Sequence, residues 1–277
     1  MSKLETAFSK ALKEQAAQGA QGDTDSENTR NIGGLPQKTG DDLKELVSVR
    51  NQIKKMTDKG NLLSDIELAN KRLVYPRMKD KDLLNIYRNL RTKLLSISGN
   101  RNFVTLVTSV VSGGGSSLVS ANIAATFAFD EGKTALLIEG NVHSPSLGKL
   151  FELDPSSLGL MECLESDEIS VRDVLHETGI PRLRFIPSGK SRENSAEYFT
   201  SDRMREVVSE VSARYPERFP IIDAPSLQDS ADTRILLDLC DQVVLVVPYG
   251  LCTREEIKEA ANAIGANKLA GVVLNQF

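Results

Sequence analysis

Between residues 104 and 274 the chain alternates short apolar runs with helix-length amphipathic stretches, and few architectures accommodate that alternation. The runs fall at 104–108, 134–139, 183–186, 221–223, 242–247 and 271–274. Between the first two lies 117–129, with Val119, Ile123 and Phe127 spaced for one helical face. Apolar strands separated by helices predict a mostly parallel, doubly wound α/β sheet covered on both sides. Such a sheet binds ligands at the carboxyl ends of its strands, and the chemically informative residues cluster there.

The first run leads into Ser112-Gly113-Gly114-Gly115-Ser116-Ser117. A glycine-rich turn between strand and helix permits positive φ and close backbone approach to an anion at a helix N-terminus. A phosphate-binding P-loop also carries a lysine that neutralises terminal phosphate oxygens, and here Ser116 stands in its place. The second run ends Ile138-Glu139-Gly140-Asn141-Val142-His143, and another ends Ile222-Asp223-Ala224-Pro225. A carboxylate after an apolar strand is a usual holder of Mg²⁺ or its waters beside a nucleotide, or else a turn cap.

Before this domain the pattern changes twice. Residues 2–16 place Leu4, Phe8 and Leu12 at helical spacing, and 18–40 is a polar, glycine-containing stretch unable to bury a core. Residues 41–70 are again helical in pattern, with a break at Gly60, and 80–98 carries Leu83, Ile86, Tyr87, Leu90 and Leu94. The expected division is a helix and linker over 1–40, a helical neck over 41–98 and the P-loop-like domain over 99–277.

Composition narrows the partners. In 277 residues, 26% charged, the formal net charge is -4, which lacks the basic excess that nucleic acid demands. Cys163, Cys240 and Cys252 are widely separated and form no disulfide or zinc pattern, so reduced, buried thiols are expected. No leader-like N-terminus and no apolar run of membrane-spanning length is visible, so the expected location is cytoplasmic.

In their order and spacing these segments resemble the bacterial tyrosine kinases of polysaccharide synthesis, over roughly residues 70–277. Tyr87-Arg88-Asn89-Leu90-Arg91-Thr92 is similar to that family's arginine-bearing helix, Ile186-Pro187-Ser188-Gly189 to a strand-end loop, and Gly271-Val272-Val273-Leu274-Asn275 to its last strand. The resemblance implies ATP and Mg²⁺ as ligands, with Gly113, Gly114, Gly115, Ser116, Ser117 and Asn275 toward the nucleotide and Ser117 and Asp223 toward the metal. It also implies Arg88 and Arg91 at a subunit contact, and Asp223 and Glu139 as the carboxylates of any chemistry. The implied partners are a membrane-embedded co-polymerase or chain-length determinant that recruits the chain to the inner membrane face, and copies of itself or an active paralogue.

The departures concentrate on catalytic parts. Ser116 replaces the lysine, and Gly114 stands where an acidic residue is common. The family's two aspartates and arginine read Glu139, Asn141 and His143, Asn85 replaces an acid on the arginine-bearing helix, and no tyrosine-rich tail precedes Phe277. These changes point to a catalytically impaired member in a regulatory or assembly role. A working kinase would need another cation, Lys149 or Lys133, at the phosphates. A septum-site or partition-type positioning ATPase would need the missing lysine and a membrane or DNA element. His143 could contact phosphate, though a neutral imidazole replaces arginine poorly. His176 reads as a surface residue between helix and loop, and 162–168 as a solvated charged face.

Overall fold

The computed structural model describes residues 62–275 apart from Asn100 and Pro216. The helix expected over 2–16, the linker 18–40 and the pattern from 41 to 61 lie outside the described residues. In chain order the described elements begin with helices α1 (Asp65–Asn70) and α2 (Lys81–Ile97), then β1 (Thr105–Ser109), α3 (Ser116–Ala128), β2 (Thr134–Glu139), α4 (Leu147–Leu150) and α5 (Leu160–Glu165). They continue with β3 (His176–Glu177), β4 (Leu183–Ile186), α6 (Ser195–Thr200), α7 (Asp202–Ala213), β5 (Arg218–Asp223), α8 (Ala231–Asp238), β6 (Gln242–Pro248), α9 (Arg254–Ile264) and β7 (Leu269–Asn275).

The strands form one sheet in the order β3-β4-β2-β5-β1-β6-β7, parallel throughout except for β3 at one edge. Every residue of β1, β2, β5 and β6 is buried, as expected of strands covered on both faces. After β1 the chain moves one way to β2 and β4, and after β5 it moves the other way to β6 and β7. Strand order therefore reverses around β1 and β5, and their carboxyl ends flank the crevice in which such sheets bind ligands.

Helix α3 is buried on all sides from Val119 to Ala128, which requires layers on two faces. The sheet supplies one, where Phe127 stacks on Phe219 at 4.7 Å and Phe103 meets both rings edge-on. The segment before β1 supplies the other. Val74 donates its backbone N–H to the Asn122 side chain at 2.6 Å, and the same amide donates to the Arg72 and Leu118 carbonyls. From α2, Leu84, Tyr87 and Leu94 share one face and enter the same core. The described part of the expected neck is thus a layer of the folded core, because its apolar face has nowhere else to be buried.

Two sequence expectations are corrected. Glu162 is buried: its carboxylate accepts N–H groups from Gly159 at 2.8 Å and Lys190 at 2.9 Å, tying α5 to the loop after β4. His176 remains partly exposed but lies in an antiparallel edge strand opposite Phe185 rather than between helix and loop, with Nε2 2.8 Å from the Leu158 carbonyl oxygen. The expected strand at 221–223 also begins earlier, at Arg218, since the ladder with β2 runs from Thr134↔Arg218 to Glu139↔Asp223.

Truncating the fully buried Leu94 removes packing between α2 and the rest of the core. Leu94→Ala is expected to lower unfolding free energy by roughly 2–5 kcal/mol. Chemical denaturation followed by circular dichroism should show one cooperative transition at a lower midpoint; an unchanged midpoint would mean that α2 contributes nothing to the core.

Candidate functional site

The turn between β1 and α3 is built as an anion cradle. Gly113 at φ 72° and Gly115 at φ 82° occupy the left-handed region, which a side-chain-bearing residue adopts only with strain. Gly115 is the N-cap of α3 and provides no side-chain cap, so the first turn of a 13-residue helix presents its N–H groups without a capping side chain. Gly114 serves close packing, since a Cβ there would sit 2.7 Å from the Ser109 Cβ. Asn275, at the end of β7, donates from its side-chain amide to the Gly114 carbonyl at 3.1 Å and braces the turn.

Asp223 closes the floor. It is fully buried at the end of β5 and accepts hydroxyl hydrogen bonds from Ser117 at 2.6 Å and Ser120 at 2.9 Å, both on α3. Burial pushes its pKa up to about 7 against the pull of those hydroxyls, and neighbouring Glu139 pushes the same way. Ser117 and Asp223 therefore come together as the sequence motif requires.

Glu139 pairs in register with Asp223 on the adjacent strand and has a different job. One oxygen accepts the Ser146 and Leu147 N–H groups at 2.7 Å each, and the other accepts that of Ser188 at 3.3 Å. Its carboxylate fastens the α4 segment and the β4 loop to the sheet. Burial raises its pKa, with these N–H groups opposing the rise. Asn141 is likewise turned to local use, accepting the Ser144 N–H at 3.2 Å.

A third carboxylate lies at the cradle, on a residue the sequence motifs did not mark. Asp229 accepts the backbone N–H of Ser112 at 3.0 Å and the hydroxyl of Ser226. Its only sequence signal is the Ser-x-x-Asp spacing of a tight turn. A cavity of about 400 Å³ opens beside it, lined in part by Ser112, Asn141, His143, Ser195 and Asp232. The Ser195 hydroxyl donates to Asp232 at 2.7 Å, while His143 Nε2 lies 3.0 Å from Ser195 Oγ and 3.4 Å from Asp232. Serine, histidine and aspartate meet here without forming a nucleophilic triad, because the serine proton already goes to the carboxylate and histidine reaches both partners through one nitrogen.

Among the described residues, no lysine or arginine lines the cavity beside Asp229. Among the described residues no salt bridge involves Asp223, Glu139 or Asp229. Lys133, one substitute considered from sequence, precedes β2 and pairs with Asp130 at 2.9 Å. It sits at the amino end of the sheet, roughly 20 Å of strand away from the cradle. Lys149 lies exposed on α4. Of the arginines on α2, Arg88 is exposed, and Arg91 turns inward to donate to the Thr126 carbonyl at 2.9 Å. The backbone thus fits a phosphate, and Ser117 with Asp223 fits one edge of a hydrated Mg²⁺. The charge set does not fit a bound Mg²⁺-nucleotide poised for transfer, which needs a fixed cation on the terminal phosphates.

No protein-family model matches the chain. It is 31% identical over 192 residues to tyrosine-protein kinase YwqD of Bacillus subtilis strain 168, covering 68% of this chain and 79% of that protein. It is 30% identical over 214 residues to tyrosine-protein kinase CpsD of Streptococcus pneumoniae serotype 4, covering 76% and 90%. EpsB of Ralstonia nicotianae is 32% identical over 206 residues, 73% of this chain and 27% of EpsB. In fold, the chimerical protein CapA2B2 superposes with a TM-score of 0.66 at 23% identity, over 82% of this chain and 98% of that one. The kinase domain of Escherichia coli tyrosine kinase ETK superposes at 0.65 with 22% identity, over 78% and 88%.

The raised pKa of Asp223 generates a pH dependence. Its folded value near 7 exceeds the ordinary carboxylate value of 3.8, so between these pH values the native state binds more protons than the unfolded chain. Its contribution therefore falls as pH rises from about 4 to about 7 and is flat above. Asp223→Asn should be more stable than wild type at pH 8, on the order of a few kcal/mol, with the advantage shrinking toward pH 4. Denaturation midpoints of both proteins across that range would show it; a pH-independent difference would refute the buried-carboxylate account.

Proposed function

The chain belongs to the bacterial tyrosine-protein kinase family, and from that premise we propose that it is a catalytically impaired member acting as a cytoplasmic regulatory or assembly component of exopolysaccharide or capsule synthesis. One observation carries this reading: the cradle keeps its shape while the cation that would neutralise phosphate is replaced by Ser116, beside Asp223 and Asp229, which have no ion-pair partner among the described residues. A lysine about 4 Å from a phosphate oxygen contributes ~4 kcal/mol at an effective dielectric near 20, about three orders of magnitude in affinity or rate. Positioning and electrostatics supply nearly all of phosphoryl-transfer catalysis, so this loss falls on the mechanism itself.

The same fold suits a role through contact. In this reading a membrane-embedded co-polymerase holds the chain at the inner membrane face, and a second copy or an active paralogue packs against α2, where Arg88 is exposed. Among the described residues no helix is long and apolar enough to cross a membrane, in keeping with recruitment by a partner. The amphipathic pattern at 2–16 is a further candidate contact. Weak nucleotide binding is compatible with this role, since Gly113, Gly115, Ser117 and Asp223 retain the cradle.

Isothermal titration with ATP and ADP in the presence of Mg²⁺ tests the proposal. Wild type is expected to bind no tighter than millimolar, and Ser116→Lys is expected to gain roughly 10³-fold. Micromolar binding by wild type, followed by Mg²⁺-dependent tyrosine phosphorylation that Asp223→Ala abolishes, would replace the scaffold with an active kinase.

A further inference from the structure

At the opposite end of the sheet, Arg218 begins β5 with only 7% of its surface exposed. Its Nε has no hydrogen-bond partner, and among the described residues no salt bridge reaches its guanidinium. That guanidinium lies over the Tyr215 ring, 4.2 Å from its centroid, with the Arg214 guanidinium 5.8 Å from the centroid of the same ring. Arg172, Arg214 and Arg218 together line a cavity of about 40 Å³ whose remaining wall is mostly apolar. Two acids are close. Glu210 is already held by Arg214 at 2.6 Å, and Glu217 has a buried oxygen without a partner but forms no ion pair with Arg218.

A buried guanidinium that forms no ion pair and leaves an N–H without an acceptor is unfavourable. Burial here pulls the Arg218 pKa below its usual value; Tyr215 and Glu217 oppose that fall, and Arg214 and Arg184 add to it. Folding tolerates such a group where a ligand completes it. Guanidinium forks match the oxygens of a tetrahedral oxyanion. A carboxylate would be satisfied by one fork, whereas a small cavity lined by three arginines, one of them shared with Glu210, suits a dianion with three accepting oxygens.

We propose that Arg172, Arg214 and Arg218 form a binding pocket for a phosphoryl group, separate from the cradle and at the other end of the sheet. The group is either free phosphate or a phosphate monoester carried on an aromatic side chain, whose ring would meet the apolar wall of Val171, Leu175 and Val211. The proposal is independent of any catalysis at the cradle.

The test titrates the full chain with inorganic phosphate and with phenyl phosphate at constant ionic strength. Wild type should bind at least one of them, and Arg172→Ala, at an exposed position, should weaken binding about tenfold or more. Arg218→Gln should abolish it, with circular dichroism confirming that the variant is folded. Ser116→Asp, which places a like charge in the cradle, should leave binding unchanged. Tighter binding of phenyl phosphate assigns the pocket to a phosphorylated tyrosine side chain, and equal binding assigns it to free phosphate. Absence of binding by wild type at millimolar ligand overturns the proposal. So does binding that survives Arg172→Ala and disappears in Ser116→Asp, since the anion would then sit in the cradle.

Discussion

Everything at the carboxyl end of the sheet depends on the bonds from Ser117 and Ser120 to Asp223. They join the first two turns of α3 to the end of β5, the strand between β1 and β2, and so fix where the glycine turn can sit. The carboxylate is fully buried, where an unpaired charge would be prohibitive, and two hydroxyl donors make its burial tolerable. The same pair of groups can organise the interior of a protein that binds no nucleotide. Retention of Ser117 and Asp223 is therefore weak evidence for chemistry and strong evidence for a constrained fold.

That distinction explains how a cradle can persist beside a missing lysine. Gly113 and Gly115 hold backbone conformations required for the chain to turn from β1 into α3, Gly114 lies against Ser109, and Asn275 ties the turn to β7. Each of these has a structural reason independent of phosphate. A lysine at position 116 would have none, because its charge is useful only with an anion in place. Electrostatic parts can thus be lost while geometric parts remain. The altered second motif follows the same logic: Glu139 satisfies three backbone N–H groups and positions two loops.

The sheet was legible in sequence because its inner strands are apolar on both faces, and consecutive buried residues leave an unmistakable run. The boundaries were less legible where polar or ring residues enter a strand, as at Arg218, Phe219 and Pro220, whose membership depends on the ladder with β2. A two-residue strand such as β3 has no period to detect. At the site, Ser117 and Asp223 follow from motif spacing, whereas the Ser112–Asp229 and Ser195–Asp232 bonds join residues 117 and 37 positions apart, which no local pattern marks. Glu162 misled because a charge run reads as solvent-facing, while one member of it caps a buried helix start at Gly159.

The two ends of the sheet carry opposite imbalances. Among the described residues, Asp223 and Asp229 at the carboxyl end accept hydroxyl and N–H donors but form no ion pair, and at the amino end the buried Arg218 forms none either. About 20 Å of strand separates them, far beyond the reach of a direct ion pair or hydrogen bond. Neither imbalance can correct the other through solvent, so each must be settled locally by hydrogen bonds, by a shifted pKa or by something bound. The carboxyl end settles its own with hydroxyls and a proton affinity raised on Asp223. The guanidinium at the amino end cannot readily shed its proton, so its compensation comes from the Tyr215 ring, from Glu217 and, as proposed, from a bound anion.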